Sequence, residues 1–423
     1  RSPPMMHKRR LNRVAHTVCC PWSGAASGGI VESMGILPVL ALAALAAAQP
    51  APPRAGAKKP AVEKSAQAAA ARVGQLMKDG EAAREAELLD EAIRIYSEVV
   101  KLAPRKAEAW WYLGLAWYDK DNYAEAERAF ARLVILDRHN GAALAMLGLS
   151  EYQNGKYDAA LKHLLAAKTA REPLPAGSEM DTVARFHLIA LLNRAGQHDV
   201  AGVLLQEFAR EKQETPLLIE AAGINLLRLA HLPGKVPPED REAVEMAGRA
   251  VLLAWRGKHE ESRALARALA EKYPRRSNVH YTLGYVHLMA ADDDAMAAEM
   301  TKELEVSPGH VQARLQLANY WMKQGEAEKG LPYAKQAVEL APSDFMTHQI
   351  YGRLLLDLGR VKESIAALEQ AVKLAPECLL CHSVLANAYA RDGRAADAEK
   401  QLKIRAEIAK QSEALRGGTG ASK

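Results

Sequence analysis

The chain has 423 residues, of which 49% are hydrophobic, 5% aromatic and 25% charged. Alanine and leucine far outnumber valine, isoleucine and phenylalanine, a balance that favours helices over sheets. This composition is too apolar for a disordered chain, and the longest apolar run is too short to span a membrane.

The net charge of +5 comes almost entirely from the first residues of the chain. Residues 1–48 carry five basic side chains and one acidic side chain, which leaves 51 basic and 50 acidic residues in the remainder. Proteins that bind nucleic acids or anionic lipids use an excess of clustered Lys and Arg. We therefore expect neither nucleic acid nor an anionic membrane surface as a partner.

Residues 1–48 are typical of a targeting region. An apolar core at 36–48 follows Met34, and Ala46 and Ala48 fit the small-residue pattern of a signal cleavage site. A membrane span would need about 20 apolar residues, and Pro38 interrupts this core. We expect an exported protein, periplasmic or secreted, with no stable membrane span after signal removal. A Pro/Ala-rich linker is expected at 49–66.

The rest of the chain has a period of 34 residues, which appears in several residue types. Prolines recur at this spacing at 274, 308, 342 and 376. Glycines recur at 80, 114 and 148 and again at 325, 359 and 393, and alanines recur at 92, 126 and 160. Agreement of several residue types on one period predicts an array of structural repeats.

The place of each residue type within the period predicts a helix-turn-helix unit. When proline is numbered as position 32, small residues stand at positions 8 and 20, where they allow two helices to approach closely. Larger apolar residues at position 24 are expected to fill the space between neighbouring hairpins. Glycine near position 15 ends the first helix, and proline at position 32 ends the second.

The repeats resemble those of the tetratricopeptide repeat family. The best-matching residues are Trp110, Leu113, Gly114, Trp117, Tyr123, Ala126 and Phe130. The resemblance covers residues 67–412, with repeats starting near 73, 107, 141, 182, 243, 277, 311, 345 and 379. It implies an all-α, helix-turn-helix repeat solenoid, a superhelix that binds protein or peptide partners in its concave groove.

The period is broken in the middle of the chain. Gly155 and Gly196 are 41 residues apart, and Gly196 and Gly257 are 61 apart. These spacings predict an N-terminal repeat block at 67–212 and a C-terminal repeat block at 239–412. Between them we expect an irregular helix and a Pro-rich loop at 213–238, and after them a flexible tail at 413–423.

The family places first-helix positions 2, 5, 9, 12 and 13 on the concave side, which predicts the groove residues. In the C-terminal block these include polar side chains that can hydrogen-bond the backbone of an extended peptide: Asn319, Arg353 and Asn387 at position 9, Gln349 at position 5 and Arg391 at position 13. The N-terminal block has Trp111, Leu115 and Tyr118 instead, which predict an apolar aromatic surface. The alternative is that each polar residue is merely solvated and that the aromatic residues cover a neighbouring turn. The lysine and asparagine pattern with which some members grip a C-terminal carboxylate is not reproduced.

Motifs for catalysis are missing from the sequence. It contains no H-E-x-x-H, G-x-S-x-G or G-x-x-x-x-G-K-[ST] string, so neither a zinc helix, a hydrolase nucleophile nor a phosphate-binding loop is indicated. We expect a protein that binds and is not an enzyme, with no catalytic or metal site.

One short string could carry chemistry. Cys378, Cys381 and His382 form a C-x-x-C-H sequence, typical of c-type haem attachment through two thioethers and an axial histidine. A redox or haem-carrying function on the same scaffold is therefore the alternative to simple partner binding. His280 and His348 share position 4 with His382 but follow no C-x-x-C, which favours a packing role and no cofactor. A local disulfide is a third interpretation.

Overall fold

The computed structural model describes residues 59–211 and 214–417. The predicted targeting region at 1–48 lies outside the described residues. Within them the chain forms 19 helices and no strand, apart from a single bridge between Asn140 and Glu172. The prediction of an all-α repeat solenoid is confirmed.

The chain divides into two compact units, one ending at Leu191 and the other beginning at Leu192. This division lies earlier than the interruption at 213–238 that the spacing predicts. In the first unit the first three hairpins each pair two consecutive helices, and the second helix of the first and of the second hairpin packs on the first helix of the next hairpin. The helices of this part are α1 (Lys59–Glu85), α2 (Leu89–Leu102), α3 (Ala107–Asp119), α4 (Tyr123–Leu136), α5 (Gly141–Gln153), α6 (Tyr157–Lys168) and α7 (Glu179–Arg194), which runs across the division.

The second unit repeats the same hairpin arrangement over a longer stretch of chain. Its helices are α8 (His198–Glu211), α9 (Pro216–Leu226), α10 (Pro238–Trp255), α11 (His259–Lys272), α12 (Val279–Met289), α13 (Asp293–Val306), α14 (Val311–Lys323), α15 (Ala327–Leu340), α16 (Phe345–Asp357), α17 (Val361–Leu374), α18 (Leu379–Arg391) and α19 (Ala395–Gly417). The first helix therefore begins inside the predicted linker, in an alanine-rich segment of high helix propensity. The last helix extends into the predicted tail.

Glycine at position 8 allows the two helices of a hairpin to touch. A Cβ added at Gly114 would lie 2.7 Å from the ring of Phe130, and one added at Gly352 would lie 2.7 Å from Leu368 Cγ. The position-24 side chain thus packs against position 8 of its own hairpin, whereas the sequence predicted a filling of the space between hairpins. Leu402, at position 24 of the last hairpin, remains 50% exposed.

The turn inside each hairpin requires a left-handed backbone conformation. Gly155, Gly325 and Gly359 adopt φ values of 74–75° there, in agreement with the predicted end of the first helix. In other hairpins Asp121 and Ala291 adopt φ values of 59° and 56°, a conformation that costs a non-glycine residue about 1–2 kcal/mol. Glycine is therefore favoured at this turn but not required.

The interruption of the period contains an additional helix. Helix α9 begins at Pro216 after Thr215, whose hydroxyl accepts a hydrogen bond from Leu218 N at 3.2 Å. It crosses α10 with its backbone in contact, because a Cβ added at Gly223 would lie only 1.9 Å from Val244 O. The Pro-rich loop ends where α10 begins, at Pro238.

Among the described helices, none combines the length and the hydrophobicity that a membrane crossing requires.

Candidate partner-binding groove

The three predicted position-9 residues of the C-terminal block lie at matching places on α14, α16 and α18. Arg353 and Asn387 are exposed, and Asn319 is half-buried. Arg391 is also exposed, but its guanidinium donates to Leu356 O at 3.0 Å. Gln349 is only 7% exposed, so the prediction that it faces a bound peptide is wrong. Its side chain is covered within the array.

Two of these residues share an open pocket of about 250 Å³. Asn319 and Arg353 stand on its polar rim, while Leu288, Met296 and Met322 provide apolar walls. The full lining consists of Leu288, Met296, Gln316, Asn319, Tyr320, Met322, Lys323 and Arg353. The pocket therefore combines hydrogen-bonding groups with an apolar surface, as ligand pockets generally do.

Of the polar side chains that line the pocket, Lys323 and Tyr320 already have partners within the protein, whereas Arg353 has none among the described residues. Lys323 Nζ lies 3.2 Å from Asp293 Oδ1, and the Tyr320 hydroxyl donates to Asp294 Oδ1 at 2.8 Å. That hydrogen bond raises the pKa of Tyr320. Arg353 forms no hydrogen bond or ion pair with the described residues, so its guanidinium is available to a carboxylate or carbonyl of a partner.

The predicted aromatic surface of the N-terminal block is largely buried. Leu115 is 7% exposed and Tyr118 is 8% exposed, so the prediction that they form an open surface is wrong. The Tyr118 ring packs edge-on against Tyr123 with centroids 5.1 Å apart, and burial raises its pKa to about 12. Trp111 is half-buried against Phe130. Side chains of this size fill the hairpin contacts instead of lining a surface.

A polar bridge that sequence reasoning missed connects α8, the segment that follows α9, and α14 in the second unit. The guanidinium of Arg228 donates to both carboxylate oxygens of Asp199, at 3.0 and 3.2 Å. The Gln312 amide donates to Asp199 Oδ2 at 3.0 Å. Because Gln312 occupies position 2 of its repeat, the protein's own side chains already occupy part of the groove wall. The open part is the position-9 line.

Two buried histidines lie beside this bridge. Burial, and then the charge of Arg228, lowers the pKa of His198 and the pKa of His310 to about 4. His310 Nδ1 accepts a hydrogen bond from Ala313 N at 3.1 Å, and its Nε2 donates to Asn278 Oδ1 at 3.0 Å. Both imidazoles are therefore neutral near pH 7. No sequence signal relates the three bridging residues, since Arg228 falls in the stretch that breaks the period.

The C-x-x-C-H string has a structural explanation in the repeat. Cys378 and Cys381 are joined by a disulfide. His382 is buried, with Nε2 donating to Pro376 O at 2.8 Å and Nδ1 lying 2.7 Å from Gln401 Oε1. Both sulfurs and both ring nitrogens are thus engaged within the chain. This geometry does not fit two thioethers and an axial iron ligand.

The hydrogen bond of His382 recurs at position 4 of other repeats. His280 Nε2 donates to Pro274 O at 3.1 Å, and His348 Nε2 donates to Pro342 O at 2.9 Å. In the N-terminal block Trp110 Nε1 donates to Pro104 O at 2.9 Å. A ring N–H at position 4 therefore ties the start of each of these first helices to the carbonyl group of the preceding proline.

In the described part of the chain, no group of three or more His, Cys, Asp or Glu side chains is placed to hold a metal ion.

Comparison with known proteins agrees with the repeat architecture. A tetratricopeptide repeat family model matches residues 78–140, 118–175 and 352–411. No curated protein sequence matches the chain.

Solved structures resemble only part of the chain. MamA from Desulfovibrio magneticus RS-1 is 20% identical with a TM-score of 0.36, over 40% of this chain and 97% of that chain. YrrB, described as a TPR protein with an unusual peptide-binding site, is 19% identical with a TM-score of 0.35, over 39% of this chain and 84% of that chain. The match to residues 78–140, 118–175 and 352–411, together with the repeated helical hairpins, shows that these parts of the chain consist of tetratricopeptide repeats.

Proposed function

We propose that the protein is an exported interaction scaffold whose C-terminal block binds an extended segment of a partner protein along Asn319, Arg353 and Asn387. The observation that carries the proposal is that Asn319 and Arg353 share one open pocket and that Arg353 has no partner among the described residues. An exposed cation beside apolar walls is ready to bind a ligand without first breaking an ion pair.

Each group along the position-9 line recognises a different part of such a segment. The Asn319 and Asn387 amides both donate and accept hydrogen bonds, as a peptide backbone does. Arg353 presents paired N–H donors to a carboxylate or to carbonyl oxygens. The apolar walls formed by Leu288, Met296 and Met322 accommodate one side chain of the segment. The groove then works by binding, with no chemical step.

The test replaces Asn319, Arg353 and Asn387 together by Ala. A matched control replaces Lys335, Lys362 and Lys400, which are exposed on the second helices of the same three hairpins. Exported proteins are crosslinked to each variant and identified by mass spectrometry. We expect the groove variant to lose the partners that the parent and the control capture, with helical content unchanged in all three. Equal capture by both variants would contradict the proposal.

Export is tested separately, because it rests on the apolar core at 36–48 and not on the groove. When the protein is expressed in an exporting bacterium, the mature N-terminus should lie at or within a few residues of Gln49. N-terminal sequencing that finds Met34 still attached to the exported protein would contradict the cleaved signal.

A further inference from the structure

The two cysteines at the start of α18 differ in their access to solvent. Cys381 is fully buried, whereas Cys378 is partly exposed. The two residues between them, Leu379 and Leu380, are exposed, Leu380 by 52%. Cys378 is therefore the more accessible of the two cysteines to a thiol from another molecule, which would approach past an apolar surface.

Helix α18 has an N-cap of a kind that other repeats form without a disulfide. Cys378 Sγ accepts a hydrogen bond from Cys381 N at 3.1 Å. Asn140 caps α5 in the same way through Ala143 N at 3.0 Å, and His310 caps α14 without any covalent bond. A reduced Cys378 can keep this capping role, and a helix N-terminus stabilises negative charge on its sulfur.

The surroundings of Cys381 can also accommodate a free thiol after the disulfide is reduced. In α5 and α14 the corresponding residues are Ala143 and Ala313, both fully buried. A thiol of similar size fits where these repeats place a small apolar side chain. The first turn is also held by the hydrogen bond from His382 to Pro376 O. Neither the oxidised nor the reduced pair therefore needs a different fold.

We propose that Cys378 and Cys381 form a thiol–disulfide exchange site that acts on cysteine pairs of protein partners. The exposed leucines beside Cys378 suit a protein substrate better than a small hydrophilic thiol. This activity is independent of the groove, since it uses none of the position-9 residues.

The exchange proceeds in two balanced steps. A partner thiolate attacks Cys378 Sγ, the bond between the two sulfurs breaks, and its electron pair leaves on Cys381 Sγ, which takes up a proton. The second partner thiolate then attacks the partner's own sulfur in the mixed disulfide and releases Cys378 as a thiolate, which the N-cap stabilises. The partner has lost two electrons to form its disulfide, and the Cys378–Cys381 disulfide has become two thiols. The reverse sequence reduces a partner disulfide.

The first experiment traps the mixed disulfide. Two variants of the full chain are made, Cys381→Ser and Cys378→Ser, both with Cys19 and Cys20 replaced by Ser. Each is prepared in its reduced form. Each is mixed with a peptide that contains one internal disulfide. Cys381→Ser should form a covalent adduct through Cys378 at least about tenfold faster than Cys378→Ser, because only the exposed, capped sulfur attacks. Equal rates, or no adduct with either variant, would overturn the proposal.

A second measurement does not depend on the variants. The protein with both cysteines is equilibrated in a series of glutathione buffers with an increasing ratio of reduced to oxidised glutathione. Its free thiols are then alkylated and counted by mass spectrometry. We expect a reversible two-electron transition of the Cys378–Cys381 pair with unchanged helical content by circular dichroism. A pair that reduces only under denaturing conditions, or whose reduction unfolds α18, would show that the disulfide is structural and would overturn the exchange activity.

Discussion

The repeats around α3–α6 and those around α14–α18 share their packing but differ in their groove residues. At position 8 the two blocks are equivalent, because Gly114 and Gly352 each leave 2.7 Å between an added Cβ and the position-24 side chain. At position 9 they diverge, because Leu115 is buried and Arg353 is exposed. The contacts that build the hairpin leave position 9 free to acquire a different role in each block.

A match to the repeat family therefore identifies the helical hairpins of the scaffold, but it does not identify which surface binds a partner. The family model matches both 78–175 and 352–411, although position 9 holds a buried leucine, Leu115, in the first stretch and an exposed arginine, Arg353, in the second. The position-9 side chains, with their exposure and their partners, separate the two blocks.

A local loss of structure is expected from breaking the shared packing. Gly352→Leu places a branched side chain against Leu368, at a cost of about 1–3 kcal/mol of unfolding free energy. Because repeats couple mainly to their neighbours, hydrogen exchange should increase at 345–411 and remain slow at 107–140. The control is Gly309→Leu, in an open loop position with nothing within 4 Å of its added Cβ. Uniform loss of protection along the chain would contradict an array with local coupling.

A second effect is expected from pH, and it belongs to the second unit. The unfolded chain protonates His198 and His310 below about pH 6.5, whereas in the folded unit the pKa of each is about 4. The free energy of unfolding should therefore be constant above about pH 7 and fall as the pH drops from about 6.5 to 4.

Denaturant unfolding at a series of pH values measures this fall. Replacing both histidines by Asn should flatten the dependence, since Asn140 shows that asparagine can cap such a helix. Replacing the exposed His139 by Asn is the control. A double variant with the same pH dependence as the parent would refute the assignment.

The smallest effect is expected from the bridge formed by Asp199, Arg228 and Gln312. Arg228→Met removes the ion pair with Asp199, whose side chain is half-exposed, so we expect a loss of about 1 kcal/mol or less. Hydrogen exchange should increase mainly at the loop 227–237 and at the first turn of α14. Arg360→Met, which removes an exposed pair within one helix, should leave both segments unchanged. Equal exchange in the two variants would show that the bridge does not hold the groove wall.

Much of the fold could be predicted because it follows from local rules. The 34-residue period, a glycine such as Gly155 at the turn and a proline such as Pro308 after the second helix recur in most units, so one repeat largely predicts the next. The groove residues were harder to predict. Arg353 is exposed, as its family position predicts, but Gln349 and Leu115 are covered by packing that position numbers do not contain.

The Asp199–Arg228–Gln312 bridge could not be predicted at all. Its members are far apart in the sequence, and Arg228 lies where the period fails, so no pattern relates them. The position-4 hydrogen bond could be predicted only in part. His280, His348 and His382 share one repeat position, but Trp110 makes the same bond with a different side chain.

The central claim is that the C-terminal position-9 line binds the partner and the N-terminal block does not. A photo-crosslinking amino acid is placed at Arg353 in one preparation and at Trp111 in another, and each is irradiated with exported proteins. The account predicts covalent adducts from position 353, with the partner peptide identified by mass spectrometry, and none above background from position 111. Adducts from position 111 with none from position 353 would contradict it.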